Sequence, residues 1–139
     1  MLALGADVAQ EPEARRAVDD AARHFGTLHT LVNVAGIRFY TPLADADTKE
    51  WEQIIGVNLL ATTYCCKAAL PHLRRAGNAT IVNVSSVFGV IGRAGMGQYD
   101  TTKAAILGQA SSDATSGGSA CGAWAISVAP CVRSSSSSP

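Results

Sequence analysis

Apolar positions along this chain fall into short continuous runs separated by stretches with helical spacing. Leu2-Ala3-Leu4-Gly5-Ala6-Asp7-Val8 is an apolar run ending in an acid, expected as a strand with Asp7 near its carboxyl end. From about Pro12 to Phe25, Ala14, Val18, Ala21, Ala22 and Phe25 form one helical stripe. Pro12 suits a first turn and Gly26 a stop. Leu28 to Val34 is a second predicted strand, ending at Ala35-Gly36. A loop over 37–46 leads to Asp47, which with Glu50 three residues on has the form of a capping box. The helix that follows is long, with Trp51, Ile54, Ile55, Leu59, Cys66, Ala69, Leu70 and Leu73 on one face and a kink expected at Pro71. Thr80 to Val84, rich in β-branched residues, is a third strand, with Ser85-Ser86 at its end. A helix beginning near Gln98 carries Tyr99 and Lys103, and Trp124 to Val128 suits a fourth strand.

Strands alternating with helices imply parallel β-α-β units. Such sheets bind ligands beyond the carboxyl ends of their strands. Asp7, Asn33 to Gly36, and Ser86 all lie at those ends. With 139 residues, 47% of them apolar and 16% charged, the chain can bury one small core. Acidic and basic residues balance at 11 each, so no charged face or tail points to nucleic acid or to a basic partner. The apolar stretches are expected to be too short to cross a bilayer, and the first residues make a poor signal peptide. Cys65, Cys66, Cys121 and Cys131 lack CxxC spacing and are expected as free thiols in a reducing compartment. His24, His29 and His72 have no metal-ligand spacing.

Tyr99 and Lys103, four apart, share a helix face. An ammonium near a phenol favours the phenolate and makes a general acid/base closer to neutrality, although this spacing is common by chance. Ser86, thirteen residues before Tyr99, could bond a substrate oxygen or be an ordinary loop serine. Asn58 lies on an apolar stripe, where an unpartnered amide costs about 1–3 kcal/mol. It either bridges backbone groups structurally or holds a water or another side chain. Asn33-Val34-Ala35-Gly36 either lets a cofactor approach the backbone or is a plain turn.

Taken together, Asp7-Val8, Asn33-x-Ala35-Gly36, Asn58, Ser86 and Tyr99-x-x-x-Lys103, in that order and at those separations, resemble the short-chain dehydrogenase/reductase family from about Leu2 to Leu107. The resemblance implies an α/β fold, a doubly wound parallel sheet of Rossmann-like type, here truncated at both ends. It implies an NAD- or NADP-dependent oxidoreductase passing hydride between nicotinamide and a small alcohol or carbonyl substrate. The catalytic set carried over is Asn58, Ser86, Tyr99 and Lys103. Tyr99 would exchange the proton and Lys103 would lower its pKa and bind the nicotinamide ribose. Ser86 would hold the substrate oxygen, and Asn58 would fix a water in a proton relay. Asp7, Val8, Asn33, Ala35, Gly36, Tyr99, Lys103 and Pro130 make up the implied cofactor-binding set, with no metal. A cytoplasmic homodimer or homotetramer, without membrane or nucleic-acid partner, is the implied setting.

The sequence also departs from the family. The glycine-rich phosphate turn between a first strand and helix is absent, so the strand ending at Asp7 is expected to lack its native neighbours. Residues 1–108 fit a partial cofactor-binding domain with its catalytic centre, and 109–139 a degraded Ser/Gly/Ala-rich continuation. Gln109 to Ser119 is poor helix material, Cys131 stands where the family has a glycine, and Ser134 to Ser138 follow. These features suggest a fragment or a shifted reading frame. The alternative function is an inactive remnant that associates through the helices holding Asn58 and Tyr99.

Overall fold

A central strand, β2 (Ala79–Ser85), organises the molecule. It is flanked by β1 (Thr30–Asn33) and β3 (Cys121–Ser127) in a parallel sheet of order β1-β2-β3. The structure is a computed structural model that describes residues 1–115 and 121–127, with side chains as far as Gln109. Parallel neighbours need crossover connections, and helices supply them. The helical run α2 (Thr48–Ile55), a π-turn (Gly56–Leu60) and α3 (Ala61–Ala76) joins β1 to β2. A 3₁₀ turn (Val87–Gly89) and α4 (Gly97–Thr115) lead from β2 to β3. α1 (Glu11–Phe25) precedes β1 and packs on α3.

Local signals account for the helix ends. Pro12 and the acids Glu11 and Glu13 occupy the first turn of α1, where negative charge meets the helix dipole, and Gly26 stops it at φ 79°. Asp47 caps α2 by accepting the Glu50 N–H at 2.8 Å. The reciprocal half of the expected capping box is not made. The Glu50 carboxylate instead accepts the Thr41 hydroxyl at 3.0 Å, because the loop over 37–46 folds back across it. Pro71 lies inside α3 without ending it, and the helix runs on to Ala76 before Gly77 at φ 78°.

Burial along β2 alternates, with Ala79, Ile81, Asn83 and Ser85 on the covered face. Val18 of α1, with Cys66, Ala69 and Leu73 of α3, packs on Ala79 and Ile81 to form the core, with Leu28 and Leu31 against it. α4 meets the same face through Ser85. An exposed pair, Lys67 to Glu11 at 2.6 Å, and a part-buried one, His72 to Asp19 at 2.8 Å, tie α3 to α1. Each is worth at most about 1 kcal/mol in such a setting.

Three expectations need correction. Leu2 to Ala6 form no strand. Extended backbone is stabilised by ladder pairing, and no described strand pairs with this segment. Asp7 instead begins a turn into α1, its carboxylate accepting the Ala9 N–H at 3.0 Å and its own N–H donating to Glu13 at 2.9 Å. β1 is shorter than Leu28 to Val34, since it has a partner on one side only, and Val32 and Val34 are 54% and 62% exposed. The apolar stretches are also not all short. The continuous helical run Thr48–Ala76, 29 residues with mean hydropathy 1.3, is long and apolar enough to cross a membrane. Here its buried face, with Ile54, Asn58, Ala61, Cys66, Ala69 and Leu73, forms part of the interior. Two bounds shift as well: α4 continues past Gln109 through Ser111-Ser112 to Thr115 despite the poor helix formers there, and β3 starts at Cys121 rather than Trp124 because it pairs with every residue of β2. Val128, Pro130, Cys131 and Ser134 to Ser138 lie outside the described residues.

Gly89 is where the 3₁₀ turn meets α4. A Cβ there would come within 2.7 Å of the Lys103 carbonyl carbon and 2.8 Å of the Ala104 nitrogen. Both are backbone atoms, which cannot swing aside. Gly89→Ala should therefore destabilise the fold by about 1–3 kcal/mol, as overpacking does. Gly5→Ala, where a Cβ meets open space, is the control. A urea midpoint for Gly89→Ala equal to the control's would contradict this packing.

Candidate active site

Lys103 is held at both ends. Its main-chain carbonyl accepts the Ser85 hydroxyl at 2.6 Å, and Gly89 lies against the same peptide. Its Nζ donates to the Val84 carbonyl at 2.9 Å. The residue is 4% exposed, and burial pushes its pKa below the ordinary lysine value. Tyr99, one helical turn earlier, places its ring centroid 5.7 Å from the Lys103 Nζ. Both line a cavity of about 260 Å³ with Val34, Gly36, Arg38, Val84 and Ser85. The shared helix face expected from their spacing is thus seen as a shared cavity wall.

Asn58 sits in the π-turn, where the Ala61 N–H reaches back to the Gly56 carbonyl. Such turns interrupt α-helices frequently at functional positions. The Asn58 amide oxygen accepts the Ile37 N–H at 2.7 Å, and its nitrogen donates to the Ile37 carbonyl at 2.9 Å and the Thr102 hydroxyl at 3.1 Å. Thr102 in turn donates to the Tyr99 carbonyl at 2.8 Å. The buried amide therefore bridges backbone groups and ties the loop after β1 to α4. As a result Gly36 closes on the site: a Cβ there would stand 3.4 Å from the Asn58 amide oxygen and 3.5 Å from the Lys103 Nζ.

Ser86 is buried at the end of β2, and its hydroxyl accepts the Phe88 N–H at 3.2 Å, capping the 3₁₀ turn. It does not line the Tyr99–Lys103 cavity, whereas its neighbour Ser85 does. A second cavity, of about 180 Å³, runs along β1 and the start of α3. Val8, Asn33 and Ala35 line it, and Val34 belongs to both cavities. Asn33 is fixed there by donating to the Asn83 amide oxygen at 2.8 Å. Burial raises the pKa of the Cys65 thiol in the same wall. Asp7 lines neither cavity, and Pro130 lies outside the described residues.

Sequence reasoning passed over several neighbours. Thr102 is an ordinary polar residue by pattern, and the packing of α4 on the π-turn brings it to Asn58; the packing of α4 on β2 brings Ser85 to the Lys103 carbonyl. The Arg93 N–H and guanidinium bond Asp100 at 2.8 and 2.9 Å, fastening the loop before α4 to its first turn. The Arg93 guanidinium carbon lies 3.4 Å from the Phe88 ring centroid and 5.6 Å from that of Tyr99. Arg38, two residues beyond Gly36, carried no motif at all.

Residues 1–119 match the sequence profile described as short chain dehydrogenase. The chain is 46% identical over 91 residues to granaticin polyketide synthase putative ketoacyl reductase 2 of Streptomyces violaceoruber, covering 63% of this chain and 36% of that protein. The ligand-free aldohexose dehydrogenase of Thermoplasma acidophilum superposes with a TM-score of 0.87 at 31% identity, over 91% of this chain and 49% of that one. A gluconate 5-dehydrogenase from Burkholderia cenocepacia, with NADP and tartrate bound, superposes at 0.84 with 26% identity, over 88% and 49%. The chain thus spans between about a third and a half of the length of these relatives. Its parallel sheet, its Tyr99–Lys103 pair and the matched residues place it in one group: the chain belongs to the short-chain dehydrogenase family.

Proposed function

We propose that the protein is an NAD(P)-dependent oxidoreductase acting on an alcohol/carbonyl pair. The observation that carries this reading is the buried Lys103 ammonium facing the same cavity as Tyr99, with Gly36 closed against it by Asn58. The cavity walls suit the nicotinamide-ribose end of a dinucleotide. A side chain at position 36 would fill the space beside Lys103, and glycine leaves it open. Lys103 spends one of its three N–H donors on Val84, leaving two for ribose hydroxyls. The small wall of Val8, Asn33 and Ala35 suits the adenosine side, with Asp7 and Pro130 assigned to the same cofactor. A bound nicotinamide dinucleotide supplies the hydride acceptor or donor. The relatives named as ketoacyl reductase and aldohexose dehydrogenase, and the NADP held by the gluconate dehydrogenase, support this chemistry.

In this reading the Tyr99 hydroxyl gives its proton to the carbonyl oxygen in reduction and takes one from the alcohol in oxidation. Lys103 supplies a fixed positive charge beside the ring. Ser86, whose hydroxyl accepts the Phe88 N–H and keeps its own proton to donate, is assigned to the substrate oxygen. Asn58, whose amide is committed to Ile37 and Thr102, would hold a relay water through its main-chain carbonyl. The same reading makes the protein a cytoplasmic enzyme that assembles through the helices bearing Asn58 and Tyr99.

Two outcomes test it. With a panel of secondary alcohols and NAD or NADP, Tyr99→Phe should lower turnover by roughly 10²–10⁴-fold, the usual worth of a positioned acid/base. Cofactor binding by calorimetry should hardly change, and near-normal turnover would refute the role. The second concerns Lys103. Between its lowered folded pKa and the ordinary lysine value near about 10.4, the unfolded chain binds more protons than the folded one. Stability should therefore rise with pH across that window, the cost of burying the charge being fully present below it. Lys103→Met should flatten that rise in urea midpoints measured from neutral pH to about pH 10. An unchanged slope would show that Lys103 is not the buried charge.

A further inference from the structure

We propose that Arg38 anchors an oxyanion, a carboxylate or a phosphate, on the molecule that occupies the Tyr99–Lys103 cavity. The inference rests on the reading of that cavity as the reaction site and adds the charge of what it takes. Arg38 and Lys103 both line the cavity, and none of the lining residues is acidic. Two cationic residues in the lining of one concave space, Lys103 buried and Arg38 exposed, favour an anion there.

Arg38 is also unpaired. Arg15, Arg16, Arg23 and Arg93 each lie within 3.8 Å of a carboxylate, whereas Arg38, Arg74 and Arg75 do not, and of these three only Arg38 lines the cavity. Arg38 makes no such pair among the described residues, and its recorded contact is with the Tyr40 ring, 5.3 Å from guanidinium carbon to centroid. A ring holds a guanidinium by its face and leaves the in-plane N–H donors free, the geometry that matches a carboxylate or phosphate. The root of the side chain is fixed as well. The N–H and C=O of Ile37, the preceding residue, are both bound to the buried Asn58 amide. The stem of Arg38 thus starts from a set point at the cavity wall, which lowers the entropy lost when its head is engaged. A neutral occupant would leave that fork to water.

The oxyanion could belong to the substrate or to the cofactor, and two pairs of probes separate them. The full chain is titrated with cyclohexanecarboxylate and its neutral amide, and with nicotinamide mononucleotide and nicotinamide riboside, following the Tyr99 and Lys103 amide signals by NMR. In at least one pair the anion should bind roughly tenfold more tightly than its neutral partner, the scale of a charge-assisted hydrogen bond. Arg38→Gln should erase that preference and leave the neutral partner's binding unchanged. Arg38→Lys, with charge but no fork, should keep part of it. A preference in the carboxylate pair assigns the anchor to substrate, and one in the nucleotide pair to the cofactor phosphate. Equal binding of anion and neutral partner in both pairs, or a preference that survives Arg38→Gln, overturns the proposal while leaving the cavity's role intact. Failure of all four probes to move the Tyr99 and Lys103 signals would sink the reading of the cavity as reaction site, and the anchor with it.

Discussion

A lysine ammonium taken out of water governs the architecture around it. Lys103 is almost fully buried, and a buried charge is tolerable only where fixed dipoles replace its hydration. The Val84 carbonyl at the end of β2 is one such dipole. To bring Nζ within bonding distance, α4 must lie close across the strand end. Ser85 and Gly89 make that approach possible, one by bonding the Lys103 carbonyl and the other by having no side chain. Tyr99 follows from the same placement, since one helical turn separates it from Lys103. The geometry of the candidate site is therefore the geometry of a strand–helix junction built around one charge.

The second constraint is the Asn58 amide. A polar side chain on the buried face of a helix must find partners, and Asn58 finds them in a loop 21 residues earlier and a helix 44 residues later. The π-turn that carries it departs from the regular ladder at that point. One side chain so joins the loop after β1, the long helical run and α4. The consequence at the site is that Gly36 and Arg38 are carried to the cavity rather than left on a free loop.

Away from this junction the sheet is less enclosed. α1, α3 and α4 meet it through the face of Ala79, Ile81, Asn83 and Ser85, and Val32 of the β1 edge and Val34 just beyond it remain more than half exposed. An unpaired edge with apolar side chains is a place where further backbone can pair. The segment from Leu2 to Ala6 runs without ladder bonds, yet Val8 just beyond it already lines the cavity along β1.

The sequence by itself determined the kinds and order of the elements from α1 onward, because apolar spacing, Asp47, Gly26 and the β-branched run before Ser85 are local signals with local effects. It also determined that Tyr99 and Lys103 share a surface, since four residues on a helix return to the same face. Leu2 to Val8 is no strand because a strand is not a local object: without a partner for its N–H and C=O groups, an apolar run need not be extended into a ladder. The role of Asn58 stayed open for a similar reason. Its position on an apolar stripe said that it must be satisfied, but only the fold brought Ile37 and Thr102 to it. Thr102 and Arg38 carry no signal, and Ser85 only its place at a strand end, because what distinguishes them is which groups, distant in sequence, meet them. Residue type and spacing fix what a side chain can do, and tertiary packing decides which partner it does it with.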